Sequence, residues 1–420
     1  MNSHHTRWSL VALLSFTATA SYICRVNLST AGVLLIREFG LTQTAMGRIF
    51  SAFLLGYASF QVPAGALADR WGARRTLRLA AWLWLVLTVA QTMIGWRPLQ
   101  MTVTTALMGL LGIRFLLGIA EAPTYPAAAQ GVARWVVPQY QGRANGLVIA
   151  SIGLGSAIAS PLVSGIMVPW GWRVALIVSA LPALAAGIVW TRIREFDPIS
   201  ATRIMTEPCA AAETGSRSNR LRTPSFVLLT ISYTLQGYVG YIFVFWFYLY
   251  LVQERHLGML AGAWVNSMSW ILSVISIPLG GFISDRLASG KLGESWGRRI
   301  VPLAGLSASG ILISLGAHTQ NPSFAALALA LATAAVLCVE GPFWATMLRH
   351  AGASGGRAGG IMNMGSNLGG LVSPFLTPLL ASYIGWENAL HVAAGLALIA
   401  AALWLAIRME SPGRHGMPRK

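Results

Sequence analysis

The chain has 420 residues, 55% of them hydrophobic and only 10% charged, with a formal net charge of +17. Soluble domains carry about a quarter charged residues, so this composition excludes an ordinary soluble domain. The positive balance does not argue for nucleic acid, because the basic residues sit in short loops between apolar runs and form no stripe among stacking rings.

A helix needs roughly 20 apolar residues to cross about 30 Å of hydrocarbon. In chain order the apolar runs predict twelve such spans, at 8–36, 44–68, 77–96, 101–133, 144–168, 174–191, 224–254, 259–284, 300–317, 323–348, 359–381 and 386–408. The run at 8–36 has no small-residue cleavage site and reads as a first span rather than a removed signal. The long polar segment holds Glu195, Asp197, Glu207, Glu213, Arg217 and Arg220. The fold class expected is therefore an all-α membrane protein of two pseudo-symmetric six-helix bundles. The N-terminal bundle covers 1–191, a cytoplasmic linker 192–223, and the C-terminal bundle with a short cytoplasmic tail 224–420.

With the N-terminus inside, the outer loops hold only Arg37, Arg48, Arg97, Arg173 and Arg255, and the remaining loop charges lie inside. That asymmetry obeys the positive-inside rule and predicts cytoplasmic termini. Cys24, Cys209 and Cys338 have neither metal nor disulfide spacing, and no metal site or cofactor is expected.

The inner loops repeat. Gly65-Ala66-Leu67-Ala68-Asp69-Arg70-Trp71-Gly72-Ala73-Arg74-Arg75 has a counterpart in Gly281-Phe282-Ile283-Ser284-Asp285-Arg286, 216 residues on from Asp69 to Asp285, followed by Gly297-Arg298-Arg299. Gly142-Arg143-Ala144-Asn145-Gly146 is answered 214 residues later by Gly356-Arg357-Ala358-Gly359-Gly360. Two similar membrane halves are a transporter-type architecture, with the substrate site expected between them near mid-membrane. Asp69, Arg70, Arg74, Arg75, Asp285 and Arg286 are then candidates for an inner gate.

Arg25, Arg114, Glu121 and Glu340 fall inside spans. Each is costly there unless it faces a cavity or a partner. Arg25 shares a helix face with Ser21, Tyr22 and Ser29, which points to a polar lining, and an arginine fork there suits a carboxylate. Arg114 and Glu121 are seven apart on one face and form a candidate charge pair. A buried acid is suited to carrying a proton. Tyr57 with Gln61, Asn363 with Asn367, Trp344 and Tyr241 have the placement to line the same cavity. Helix packing competes for each of these.

Together these residues resemble the major facilitator superfamily. Residues 65–75 match its signature G-x-L-x-D-R-x-G-x-R-R. Within it the chain is similar to the anion:cation symporters, which include sialin-like and sugar-acid transporters. That likeness rests on Arg25-Val26-Asn27-Leu28-Ser29, Phe50 through Tyr57, Gln61 and Pro63, Arg114 through Gly118, Glu121 and Pro126, and Asn363 through Gly370. The resemblance implies that Arg25 meets the substrate carboxylate, with Tyr57, Trp344 and Asn363 beside it. It gives Glu121 the coupling proton, with Arg114 as charge partner. Many bacterial sugar-acid members carry an Asp where this chain has Cys24. Glu121-Ala122-Pro123 resembles Glu340-Gly341-Pro342, 219 residues on. Glu340 is thus a candidate replacement proton site, or an acid that caps or packs a helix.

The leading expectation is secondary transport of a small organic anion, a carboxylate, with proton symport in a bacterial inner membrane. The partners expected are the anion, protons and lipid, with no nucleic acid, and the protein is expected to be a monomer. An organophosphate/phosphate-type antiporter is the alternative, but it wants a second cavity arginine on the seventh span, where only Arg255 lies near, at the outer end. A transporter-like sensor needs an output domain or a long regulatory tail, and the linker and the tail after Arg408 are short for that; no nucleotide-binding loop appears, and no nucleophile motif argues for an enzyme.

Overall fold

The computed structural model describes residues 8–96, 101–193, 223–351 and 355–408. Arg97, Cys209, positions 194–222 of the expected linker with their six named charges, and the tail after Arg408 lie outside the described residues. The regular structure described is helical: α1 Trp8–Phe39, α2 Gln43–Thr92, α3 Val103–Glu121, α4 Thr124–Trp135, a 3-10 turn at Pro138–Tyr140, α5 Gln141–Ser179 and α6 Leu181–Arg192. Then follow α7 Pro224–Phe245, α8 Phe247–Gln253, α9 Met259–Ala288, α10 Gly293–His318, α11 Pro322–Leu337, α12 Glu340–Ala351 and α13 Gly355–Ala406.

Among the described residues, nine helical stretches are long and apolar enough to cross a membrane. Three of them run to 50, 52 and 50 residues, too long for one crossing. Each of these turns back at a glycine: Gly72 (φ 77, ψ 161), Gly171 (φ 81, ψ 166) and Gly385 (φ 80, ψ 159). That backbone region is essentially closed to any residue with a Cβ. Counting those three twice gives the twelve crossings the hydropathy predicts.

Four expected single spans are broken, one of them, 174–191, at Ala180 between α5 and α6. The run at 101–133 divides at Ala122–Pro123, that at 323–348 at Cys338–Val339, and that at 224–254 at Trp246. Pro123 lacks the N–H that would continue α3. The breaks at Ala122–Pro123 and Cys338–Val339 put Glu121 at the end of α3 and Glu340 at the start of α12, in corresponding places.

The packing repeats between halves. α1 lies on α5 and α2 on α3, while α7 lies on α13 and α9 on α11. The halves meet where α2 packs on α13 and α5 on α9. Small residues permit the closeness, as is usual where lipid gives helices no hydrophobic drive to associate. A Cβ on Gly118 would overlap the Phe53 carbonyl, and one on Gly56 the Phe115 carbonyl, so α2 and α3 touch backbone to backbone. Gly47 meets the Pro374 carbonyl in the same way across the halves.

One end of the bundle is latched. Gln43 Nε2 donates to Gln253 Oε1 (3.1 Å) and Glu254 Oε1 (3.1 Å), and Gln43 Oε1 accepts from Trp386 Nε1 (2.9 Å). Ser51 Oγ donates to the Leu371 carbonyl at 2.7 Å. Deeper, Asn266 Nδ2 donates to Ser160 Oγ at 2.7 Å, and Ser164 and Tyr248 hydroxyls meet at 3.3 Å. Gln43→Ala removes three inter-half bonds and should weaken closure of this end by roughly 1–3 kcal/mol. A cysteine at Ser51 should then label faster from that side than the same cysteine with Gln43 intact; equal rates would rule out Gln43 as a latch.

Candidate functional site

α1 passes through the middle of the N-terminal half, and its residues from Thr17 to Val33 are all buried. Arg25 is 2% exposed and Glu121 0%. Arg25 Nε donates to Glu121 Oε2 at 3.0 Å, and Ser21 Oγ reaches the same oxygen at 3.4 Å. Arg25 Nη1 donates to Tyr22 Oη at 3.2 Å. The guanidinium carbon lies 4.5 Å from the ring centre of Tyr22, 4.5 Å from that of Tyr57 and 5.0 Å from that of Phe53. The aromatic faces supply cation–π attraction where water is excluded.

The pairing differs from the one expected from helical spacing. Glu121 takes Arg25 as its ion partner, and Arg114 turns to main-chain oxygens. Its Nη1 donates to the Cys24 carbonyl (3.3 Å) and its Nη2 to the Arg25 carbonyl (2.7 Å). Residues seven apart share a helix face but sit two turns apart, about 10 Å along the axis, which favours partners on a neighbouring helix. Arg114 thereby holds the α1 backbone at the residue that carries the ion pair.

Several polar atoms here are buried without a hydrogen-bond partner: Arg25 Nη2, Glu121 Oε1, Arg114 Nε and Tyr125 Oη. Unpaired buried polar atoms are costly and uncommon, and here three can donate while the fourth, Glu121 Oε1, accepts. The unpaired guanidinium N–H groups of Arg25 and Arg114 and the Tyr125 hydroxyl are donors of the kind that suits an anion.

Tyr57 lies against Arg25 and stacks on Phe53 at 6.2 Å. Gln61 Oε1 accepts from Asn363 Nδ2 at 3.4 Å, which joins α2 of one half to α13 of the other. Tyr241 Oη donates to Asn367 Oδ1 at 3.4 Å and interacts electrostatically with both Arg25 and Glu340. Trp344 Nε1 donates to Tyr233 Oη at 3.2 Å, and Tyr233 Oη donates to Glu340 Oε2 at 2.8 Å. Arg25, Tyr57 and Tyr241 thus form one group and Trp344 and Glu340 a second, with Tyr241 between them.

The remaining sequence candidates lie apart from this centre. Asp69 accepts from Gln130 Nε2 (3.4 Å), Arg74 Nη2 donates to the Thr191 carbonyl (3.4 Å), and Asp285 pairs with Arg298 (2.9 Å). Each of these contacts stays within its own half. Arg70 and Arg286 are exposed at the same end, as is Arg75, which has an interaction of its own.

Sequence reasoning missed Tyr125, Tyr233, Gln236 and Gln43. The repeat carried a usable signal. The residue 216 positions after Arg25 is Tyr241, and Gly171-Trp172 recurs 214 positions later as Gly385-Trp386. Trp172 donates to Glu38 at 2.5 Å within its half, and Trp386 to Gln43 across the halves.

This is the fold of a membrane transporter: two helical halves, with the buried charges Arg25, Arg114 and Glu121 inside the first. The model of the Major Facilitator Superfamily matches residues 14–355 and 287–420, and the chain belongs to that family, whose members are transporters and not enzymes. The chain is 26% identical over 400 residues to a hexuronate transporter of Bacillus subtilis, covering 93% of this chain and 92% of that protein. It is 27% identical over 391 residues to a probable sulfoacetate transporter of Cupriavidus necator, covering 90% and 88%. A probable galactarate/D-glucarate transporter of Escherichia coli K12 is 26% identical over 432 residues, covering 94% and 93%. Among solved structures, a bacterial homologue of the human lysosomal transporter Spinster, inward-facing and unoccupied, superposes with a TM-score of 0.80 at 16% identity, covering 98% of this chain and 100% of that one.

Removing one partner of a buried ion pair leaves a lone charge and costs about 3–5 kcal/mol, whereas removing both costs far less. Arg25→Gln and Glu121→Gln should therefore each lower stability by about that amount in detergent unfolding. The double variant should recover much of the loss, and additive losses would contradict the pair.

Proposed function

We propose that this transporter moves a small organic anion, a carboxylate, by alternating access with proton symport. The observation that carries this reading is the closed Arg25–Glu121 pair with Arg25 Nη2 left unpartnered beside it. A carboxylate entering the site competes with Glu121 for the same guanidinium. A proton on Glu121 removes that competitor, and Arg25 then offers its fork to the substrate. The hexuronate, sulfoacetate and galactarate/D-glucarate named for the relatives are all organic anions, which supports the substrate class.

Tyr57, Tyr241, Trp344, Gln61 and Asn363 line the path in this reading, and Arg114 fixes the α1 backbone rather than serving as Glu121's charge partner. The halves are residues 1–191 and 224–420, joined by a linker at 192–223. Bacterial relatives and the basic loops support a bacterial cytoplasmic membrane with both termini inside and a monomer as the working unit. The state described is closed at the Gln43 end. In the opposite state the loops at Asp69–Arg75 and Asp285–Arg286 come together and shut the inner side. Asp69→Asn should then raise labelling of a cysteine at Gln61 from the cytoplasm, and unchanged labelling would remove that assignment.

Arg25→Lys keeps the charge but loses the planar fork. It should fold, insert and lose most uptake of hexuronates, hexarates and sulfoacetate tested as a panel. Glu121→Gln mimics the protonated acid, so it should lose pH-driven accumulation and keep exchange between two loaded compartments. Full accumulation by this variant in a pH gradient would overturn Glu121 as the coupling residue.

A further inference from the structure

We propose that Glu340 is a second proton-binding site, in the C-terminal half, so that each transport cycle carries one more proton than Glu121 alone supplies. The proposal rests on the reading of Arg25 and Glu121 above only for the first proton.

The repeat places the two acids in corresponding positions, at the breaks between α3 and α4 and between α11 and α12. Their surroundings differ in one decisive respect. Glu121 has Arg25, whereas the position matching Arg25 in the second half is Tyr241. Glu340 is held by neutral donors: Tyr233 Oη to Oε2 at 2.8 Å and Gln236 Nε2 to Oε1 at 3.0 Å. A carboxylate inside a membrane protein without a cation beside it is costly, and taking a proton relieves that cost.

The cage has a place for the proton. Gln236 Oε1 is buried and has no hydrogen-bond partner, although its own amide nitrogen already touches Glu340. When the carboxyl is protonated, rotation of the Gln236 amide presents that oxygen as the acceptor of the new O–H. When it is ionised, the amide N–H and the Tyr233 hydroxyl donate to it, and the N-terminus of α12 adds a favourable dipole. Glu340 thus finds partners among the same side chains in both states, the rotation giving up the Gln236 Nε2 bond to the Val336 carbonyl (3.2 Å).

The cage also has an opening toward the surface of the protein. Tyr233 Oη accepts from Trp344 Nε1, and Trp344 is 37% exposed. A proton arriving past Trp344 binds a Glu340 oxygen, and the same proton leaves by that path after the carrier reorients. The titratable groups facing Glu340 are Tyr233 and Tyr241 of α7. On α12 itself, Arg349 pairs with Glu294, and His350 faces the carbonyls of Thr346 and Arg408. On the other packed helices the charged residues sit at the ends or at the far Gly385 turn: Asp285 and Arg286 on α9, Glu294, Arg298, Arg299 and His318 on α10, and Arg357, Glu387 and His391 on α13. With the buried Glu121 and the half-buried Glu340 both protonated, the charges left inside the spans among the described residues are the two positive ones of Arg25 and Arg114, the complement of a substrate carrying two negative charges.

The test needs no substrate. Infrared difference spectra of the purified full-length protein, taken across a pH titration, report the C=O stretch of each protonated carboxyl group. Glu340→Gln should remove one protonated-carboxyl band and leave another that Glu121→Gln removes. A spectrum unchanged by Glu340→Gln overturns this proposal and leaves Glu121 standing. A band lost in Glu340→Gln but none lost in Glu121→Gln supports it and overturns the earlier assignment. If Glu340→Gln does not fold, Tyr233→Phe serves instead. It removes a hydrogen bond to the ionised form, so Glu340 should bind its proton roughly tenfold more tightly and its band should appear at higher pH. An unmoved band overturns the proposal.

Discussion

A charge in a low-dielectric interior must be neutralised, and in this molecule that requirement falls on Arg25. Its guanidinium is buried at mid-helix, too deep to reach water by extending the side chain. Glu121 neutralises it, the rings of Tyr22, Phe53 and Tyr57 surround it, and Arg114 braces the backbone that carries it. A buried pair of this kind contributes little net stability over an apolar substitute, because desolvation offsets the attraction. In the proposed cycle each member exchanges its partner for a proton or an anion.

The fold serves that exchange by bringing helices unusually close. Gly56 and Gly118 bring α2 and α3 together backbone to backbone, which sets Arg114 and Glu121 against α1. The break after Glu121 ends α3 at that residue, so its carboxylate sits at a helix terminus rather than along a continuous face. The second half repeats the frame but replaces the arginine with Tyr241, which leaves Glu340 among neutral donors. One architecture therefore supplies two differently balanced acids. Movement between states needs bonds that form and break at the ends of the bundle, and Gln43 gathers three of them in this state.

Much of this was legible in the sequence. The twelve apolar runs, the repeated basic loops and the four intramembrane charges follow from hydropathy and spacing, because lipid imposes those constraints on every spanning segment. The broken spans were less visible: Pro123 signals one, but nothing comparable marks the break at Trp246. The choice of ion partner was not legible. Spacing along one helix relates Arg114 to Glu121, but only the packing of α1 against α3 brings Arg25 to the carboxylate instead. The Tyr233–Gln236–Trp344 cage around Glu340 draws on two helices more than 100 residues apart in sequence, beyond the reach of any local pattern. The latch at Gln43 escaped for the same reason, since its partners come from α8, the turn after it and α13.

In the proposed cycle, proton and anion bind cooperatively, the proton taking Glu121 and the anion taking Arg25 of one ion pair. The most direct measurement of this coupling is proton uptake on binding. The purified protein in weakly buffered solution, mixed with a transported organic anion, should take up protons as the anion binds, and Glu121→Gln should bind the anion with about one proton fewer taken up. Anion binding with no proton uptake, or with uptake unchanged in Glu121→Gln, would contradict the account.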